Sequence, residues 1–189
     1  MKTGKMLVFA MMTLLCCQSL FAQGFQPPAE GKAVVYFTRV SSYGYAVSFE
    51  YFHNDEYIGV FKGKNYMRYE CEPGKHLFWA SSENKEFIEA DLAAGGTYIV
   101  MVNIEMGAWK ARVGLSPITD KNTEEFTRAK DLIFSEPPSS TPQKKVDEMN
   151  VKLKDFIADK LKMYDEVWKS KYNYPVITQD MAIPAESLK

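Results

Sequence analysis

Two histidines, three cysteines and a scatter of carboxylates are the groups that could carry chemistry in this chain. A metal centre needs such groups to converge. His53 and His76 fall on different predicted strands, and no H-x-x-H or C-x-x-C spacing occurs, so both read as ordinary surface or edge histidines. Cys71 alternates with Met67 and Tyr69, opposite Arg68, Glu70 and Glu72. That phase puts its thiol on an apolar face, where desolvation disfavours the reactive thiolate. Glycoside hydrolysis needs two carboxylates facing one cleft. Glu50, Glu70, Glu72, Glu89 and Asp91 all fall on the polar side of strand alternations, the side expected to be solvated, and nothing selects a pair. No nucleophile elbow, phosphate-cradling loop or dinucleotide fingerprint is present. The expectation is a protein with no catalytic residue, no metal and no cofactor.

What remains is aromatic. The loop Tyr43-Gly44-Tyr45 offers two rings able to stack on the apolar face of a sugar or to anchor a protein partner. Tyr164 and Trp168 lie near the end of a long predicted helix. These four residues are the candidate contacts with a ligand or partner.

The elements that must position them read as mainly β. Aromatics make up 14% of the chain, which favours pleated, half-buried strands. Ala33 to Thr38 is a continuous apolar run; Val47 to His53 alternates and pairs through the turn Asn54-Asp55-Glu56 with Tyr57 to Phe61. Gly63-Lys64-Asn65, Pro73-Gly74 and Gly95-Gly96 punctuate further short strands up to Leu115. The predicted architecture is an antiparallel β-sandwich of about eight strands over 32–118, followed by a helical extension over 119–189. In that extension Phe126, Ala129 and Ile133 share helical spacing. Thr141-Pro142 reads as an N-cap with proline at the first helical position. Val146, Met149, Leu153, Ile157, Leu161, Tyr164 and Trp168 then form the stripe of an amphipathic helix over 142–169. That stripe must dock. Its own sandwich, giving a monomer, is favoured over a homodimer seam, because the sustained heptads of a coiled coil are missing.

The first 22 residues read as an export signal. Lys2 and Lys5 form a positive start, Met6 to Leu15 an apolar stretch, and Ala22 the small residue before cleavage at Gln23. The apolar stretch is too short for a membrane span. Leu15 before Cys16, and Cys16 before Cys17, fit poorly with acylation, so lipoprotein anchoring through either cysteine is the lesser alternative. Cleavage leaves Cys71 as the one cysteine of residues 23–189, which excludes an internal disulfide there. With 23 basic and 24 acidic residues overall, the charge balance does not fit nucleic-acid binding.

Ala33-Val34-Val35-Tyr36-Phe37-Thr38-Arg39, Asn54-Asp55-Glu56-Tyr57-Ile58-Gly59, Glu72-Pro73-Gly74-Lys75-His76 and Leu92-Ala93-Ala94-Gly95-Gly96-Thr97-Tyr98-Ile99 together make residues 32–118 similar to a known family. They resemble the bacterial domain-of-unknown-function family 2846. The resemblance implies a β-sandwich of the cell envelope and carries no catalytic residues. The functional expectation is an exported binding or structural module, periplasmic or secreted in a Gram-negative bacterium, meeting an envelope protein or a glycan. The alternatives are a carbohydrate-recognition module using Tyr43 and Tyr45, and a hydrolase of unrecognised type.

Overall fold

The computed structural model describes residues 24–106 and 111–189; the segment expected to be an export signal, with Cys16 and Cys17, lies outside the described residues. The strands are β1 (Ala33–Arg39), β2 (Ser48–His53), β3 (Glu56–Lys62), β4 (Asn65–Cys71), β5 (Gly74–Ser81), β6 (Lys85–Leu92), β7 (Thr97–Met106), β8 (Ala111–Ile118) and β9 (Val176–Ile177). Helix α1 spans Thr123–Ser135 and α2 spans Gln143–Met163, continued by a wide π turn over Tyr164–Trp168 and a last turn at Lys169–Lys171. Two sheets form, with strand orders β4-β1-β7-β8 and β3-β2-β5-β6-β9. The expected mainly β, two-sheet arrangement with a C-terminal helix is what the chain adopts. Most neighbours are antiparallel, but β1 runs parallel to β7 and β6 parallel to β9. These two pairs join segments distant in sequence, so no hairpin dictates their direction.

Three apolar cores explain the layering. Val35, Phe37, Phe49, Tyr51, Phe78, Ile88, Val100 and Leu115 meet between the sheets. On the far side of the first sheet, Val34, Tyr36, Tyr66 and Ile99 receive Phe126, Ala129, Leu132 and Ile133 of α1. On the far side of the second, Phe52, Tyr57, Trp79 and Phe87 receive Met149, Ile157 and Tyr164. The molecule is therefore a helix–sheet–sheet–helix stack. Strand β1 is buried at all seven positions because it lies inside one sheet with apolar layers on both faces, which is why its sequence does not alternate. The outer faces carrying Glu50 and Glu89 are not open to solvent as the alternation implied; α2 covers the second sheet and leaves both residues partly buried.

Helix α2 seats on its own sheet. Val146, Leu153, Leu161 and Trp168 pack on the third core together with Phe156, whose ring lies 6.3 Å from Phe52 and 6.2 Å from Trp79. The helix also finishes the hydrogen bonding of the edge strand β3. Asn150 Oδ1 accepts from the Tyr57 amide at 2.7 Å while its Nδ2 donates to the Tyr57 carbonyl at 3.0 Å. Thr141 does not cap the helix, which begins at Gln143 without a side-chain cap. Its hydroxyl instead accepts from the Val60 amide at 3.0 Å. Gly59 permits this approach, since a Cβ there would stand 2.9 Å from the Thr141 hydroxyl. A bare sheet edge is a template for unwanted pairing, and these two side chains occupy it.

Candidate functional site

A cleft of about 500 Å³ lies where the second sheet, β8 and the end of α2 meet. Glu83 and Asn84 wall it from the β5–β6 turn, Glu86 from the start of β6, Arg112 from β8, Lys160 from α2, and Trp168, Tyr172, Asn173 and Tyr174 from the chain that leaves the helix. The π turn carries Tyr164 and Trp168 onto Phe87, at centroid distances of 4.4 and 6.0 Å. Tyr174 meets the same ring edge-on at 5.4 Å. Tyr172, 49% exposed, stands 6.2 Å from Tyr174. The aromatic wall is thus built on the core and held from behind.

The polar wall is braced as well. The Asn84 amide accepts from the Val113 amide at 2.9 Å and donates to the Val113 carbonyl at 2.8 Å, tying the β5–β6 turn to β8. The Lys85 ammonium donates to the carbonyls of Ser82 and Asn84. Glu86 lies in phase with Ile88, Ala90 and Leu92, which face between the sheets. Burial, with the Glu105 charge adding to it, pushes its carboxyl up to about 7, against the pull of Arg112. Near neutral pH Glu86 is therefore divided between a proton donor and an anion. Spacing among the strand carboxylates does not single it out. Its signal is phase: a charged side chain at the inward position of an alternating strand.

The structure separates the four aromatic candidates. Tyr43 and Tyr45 are 58% and 76% exposed on the β1–β2 loop, away from the cleft, rather than folded over the sandwich end. Arg39, itself buried, fixes that loop by donating to the carbonyls of Val47, Tyr43 and Gly44 at 2.6–2.8 Å. Tyr164 packs in the core, 2% exposed, with its hydroxyl donating to Glu89 at 2.7 Å. Trp168 does line the cleft.

The two histidines are not independent edge residues, because β2 and β5 are neighbours. His53 Nε2 lies 2.8 Å from His76 Nδ1, His53 Nδ1 lies 2.9 Å from the Tyr69 hydroxyl, and His76 Nε2 lies 2.8 Å from the Glu72 carbonyl oxygen. One set of neutral tautomers satisfies all three: Tyr69 donates to His53, His53 to His76, and His76 to the carbonyl. The relay links the sheets, since Tyr69 is on β4. Burial and the neighbouring His76 lower the His53 imidazole to about 4. No group of three or more metal-ligating side chains occurs among the described residues. Cys71 is buried, and burial pushes its thiol up to about 11. No helix among the described residues is long and apolar enough to cross a membrane.

Comparison with known proteins finds no family model, no curated protein and no solved structure that matches this chain.

Proposed function

We propose that this chain is an exported, non-enzymatic binding module of a bacterial cell envelope whose small ligand sits in the cleft of Trp168, Tyr172 and Tyr174. The address rests on Lys2, Lys5, the apolar stretch Met6 to Leu15 and Ala22. The site rests on one observation above the others: partly exposed rings, supported from behind by Phe87, border a polar cleft of about 500 Å³, within the usual range for a single small ligand. Aromatic faces beside hydroxyl and amide groups are the surface a sugar ring meets. The docking of α2 on its own sheet supports a monomer, for which light scattering gives a mass independent of concentration. Mass spectrometry of exported protein should find an N-terminus at or near Gln23. A glycan array with wild type and Trp168→Ala tests the site: saturable binding lost in the variant supports it, and binding unchanged by Trp168→Ala removes it. Loss on Tyr43→Ala or Tyr45→Ala instead would move the site to that loop.

A second reading, hydrolysis of a bound glycoside, is favoured by Glu86, whose raised carboxyl could protonate a leaving oxygen. Release of reducing sugar from an array ligand, abolished by Glu86→Gln, would establish it.

A further inference from the structure

We propose that the ligand of this cleft is an acidic saccharide, its ring stacked on Trp168 and Tyr172 and its carboxylate held by Arg112. The proposal rests on the cleft being the ligand seat and adds the chemistry of what fills it. The polar groups of the wall are not equally available. Asn84 spends its amide on the Val113 backbone, and Lys85 spends its ammonium on two carbonyls. Lys160 pairs with Asp159 at 2.6 Å and lies over the Phe156 ring. Arg112 is different: it is exposed, lines the cleft, and forms no ion pair with a carboxylate among the described residues. A planar guanidinium accepts a carboxylate through two parallel hydrogen bonds, which fixes the orientation of the ring attached to it.

The charge around that guanidinium favours an anion. Lys85 and Lys160 add positive charge from β6 and α2 against Glu83 of the β5–β6 turn, so the lining carries three cations, Arg112 included, to two carboxylates. Glu86, the second carboxylate, opposes it only when ionised, and its burial keeps a large fraction protonated near neutral pH. A protonated Glu86 donates to a ligand oxygen; an ionised one repels the ligand carboxylate. The other groups that act on Glu86 are Glu105 of β7, Arg112 of β8 and the Asn84 amide, while Glu86 in turn bears on Tyr174. Exposed aromatic surface at Tyr172 gives the apolar face of a pyranose a place to stack beside the guanidinium.

The test uses full-length processed protein, with glucuronic acid and glucose as probes that differ only at C6, carboxylate against hydroxymethyl. Binding is followed through the Trp168 indole resonance and by calorimetry. At pH 6 glucuronate should bind at least tenfold more tightly than glucose. Arg112→Gln, a change at an exposed position, should abolish that preference. Between pH 6 and pH 8 glucuronate affinity should fall several-fold in the wild type and stay level in Glu86→Gln, whose side chain does not ionise. Equal affinity for both sugars, lost together in Trp168→Ala, overturns the acidic preference and leaves the cleft as a sugar seat. A Trp168 resonance that neither sugar moves overturns the saccharide altogether, while the array result with Trp168→Ala still decides separately whether the cleft binds anything. A preference retained in Arg112→Gln overturns the role given to Arg112.

Discussion

Acid should weaken the fold through His53, by an amount that can be worked out. In the unfolded chain this imidazole takes a proton near 6.5, whereas in the folded protein it does so only near 4. As pH falls below 6.5 the unfolded state gains the proton first, so the stabilisation present above 6.5 drains away down to about 4 and no further. At full strength that displacement is worth roughly 3.4 kcal/mol. The ring is only half-buried, and solvent screening leaves about half of this, near 1.5 kcal/mol. For a domain of this size that is about 3–6 °C in melting temperature. Glu86 works in the opposite sense. Its carboxyl is raised from 4.5 to about 7, so it costs stability as pH rises through that window. The wild-type curve is therefore flatter than either group alone would make it, and the two are separated by substitution. Melting should be followed calorimetrically from pH 7.5 to 4.5 for wild type and His53→Gln. Their difference should change by about 1.5 kcal/mol across the range, with the variant losing less toward acid. A difference that stays constant with pH would refute the assignment of this linkage to His53.

Three further outcomes follow from the packing. Ile157→Ala, at a position 2% exposed under α2, should cost about 2–5 kcal/mol in urea unfolding, and a cost under about 1 would mean the helix is not seated as described. Asn150→Leu should strand both backbone groups of Tyr57 at the sheet edge, lowering stability by about 1–3 kcal/mol and raising the aggregated fraction in size-exclusion chromatography. Cys71 should resist alkylation at pH 8 in the folded protein and react once urea unfolds it, as read by intact mass; prompt labelling of the native state would contradict its burial.

Much of this architecture is legible in the sequence because it rests on periodicity. The strand segments, the spacing of Phe126, Ala129 and Ile133, and the stripe from Val146 to Trp168 each follow from one face being apolar. The pairing order is not legible. β1 sits beside β4 and β7, and nothing local to Ala33–Arg39 encodes partners so far away. The polar residues that matter most were hidden by the same alternation that reveals the strands. Arg39, His53 and Glu86 each occupy the inward phase at the end of a strand, next to apolar positions such as Phe37, Tyr51 and Ile88. Charged or polar groups in that phase are costly to bury, so they mark places where the sheet ends meet a partner, a loop or a cleft. Thr141 misled for another reason: its type and its following proline suit a cap, but the edge of β3 offered its hydroxyl a backbone amide instead.

The segment after α2 has a consequence for how the molecule closes. Ile177 enters the core between the sheets, the Ile183 amide donates to the Thr97 carbonyl of the first sheet at 2.8 Å, and Lys130 of α1 donates to the Ser187 carbonyl at 3.0 Å. This strap crosses from the β6 edge of one sheet to the helix covering the other. Residues 176–189 are made after every strand and helix they join. Both sheets must therefore wait, with one end of their shared core unsealed, until this stretch has been synthesised.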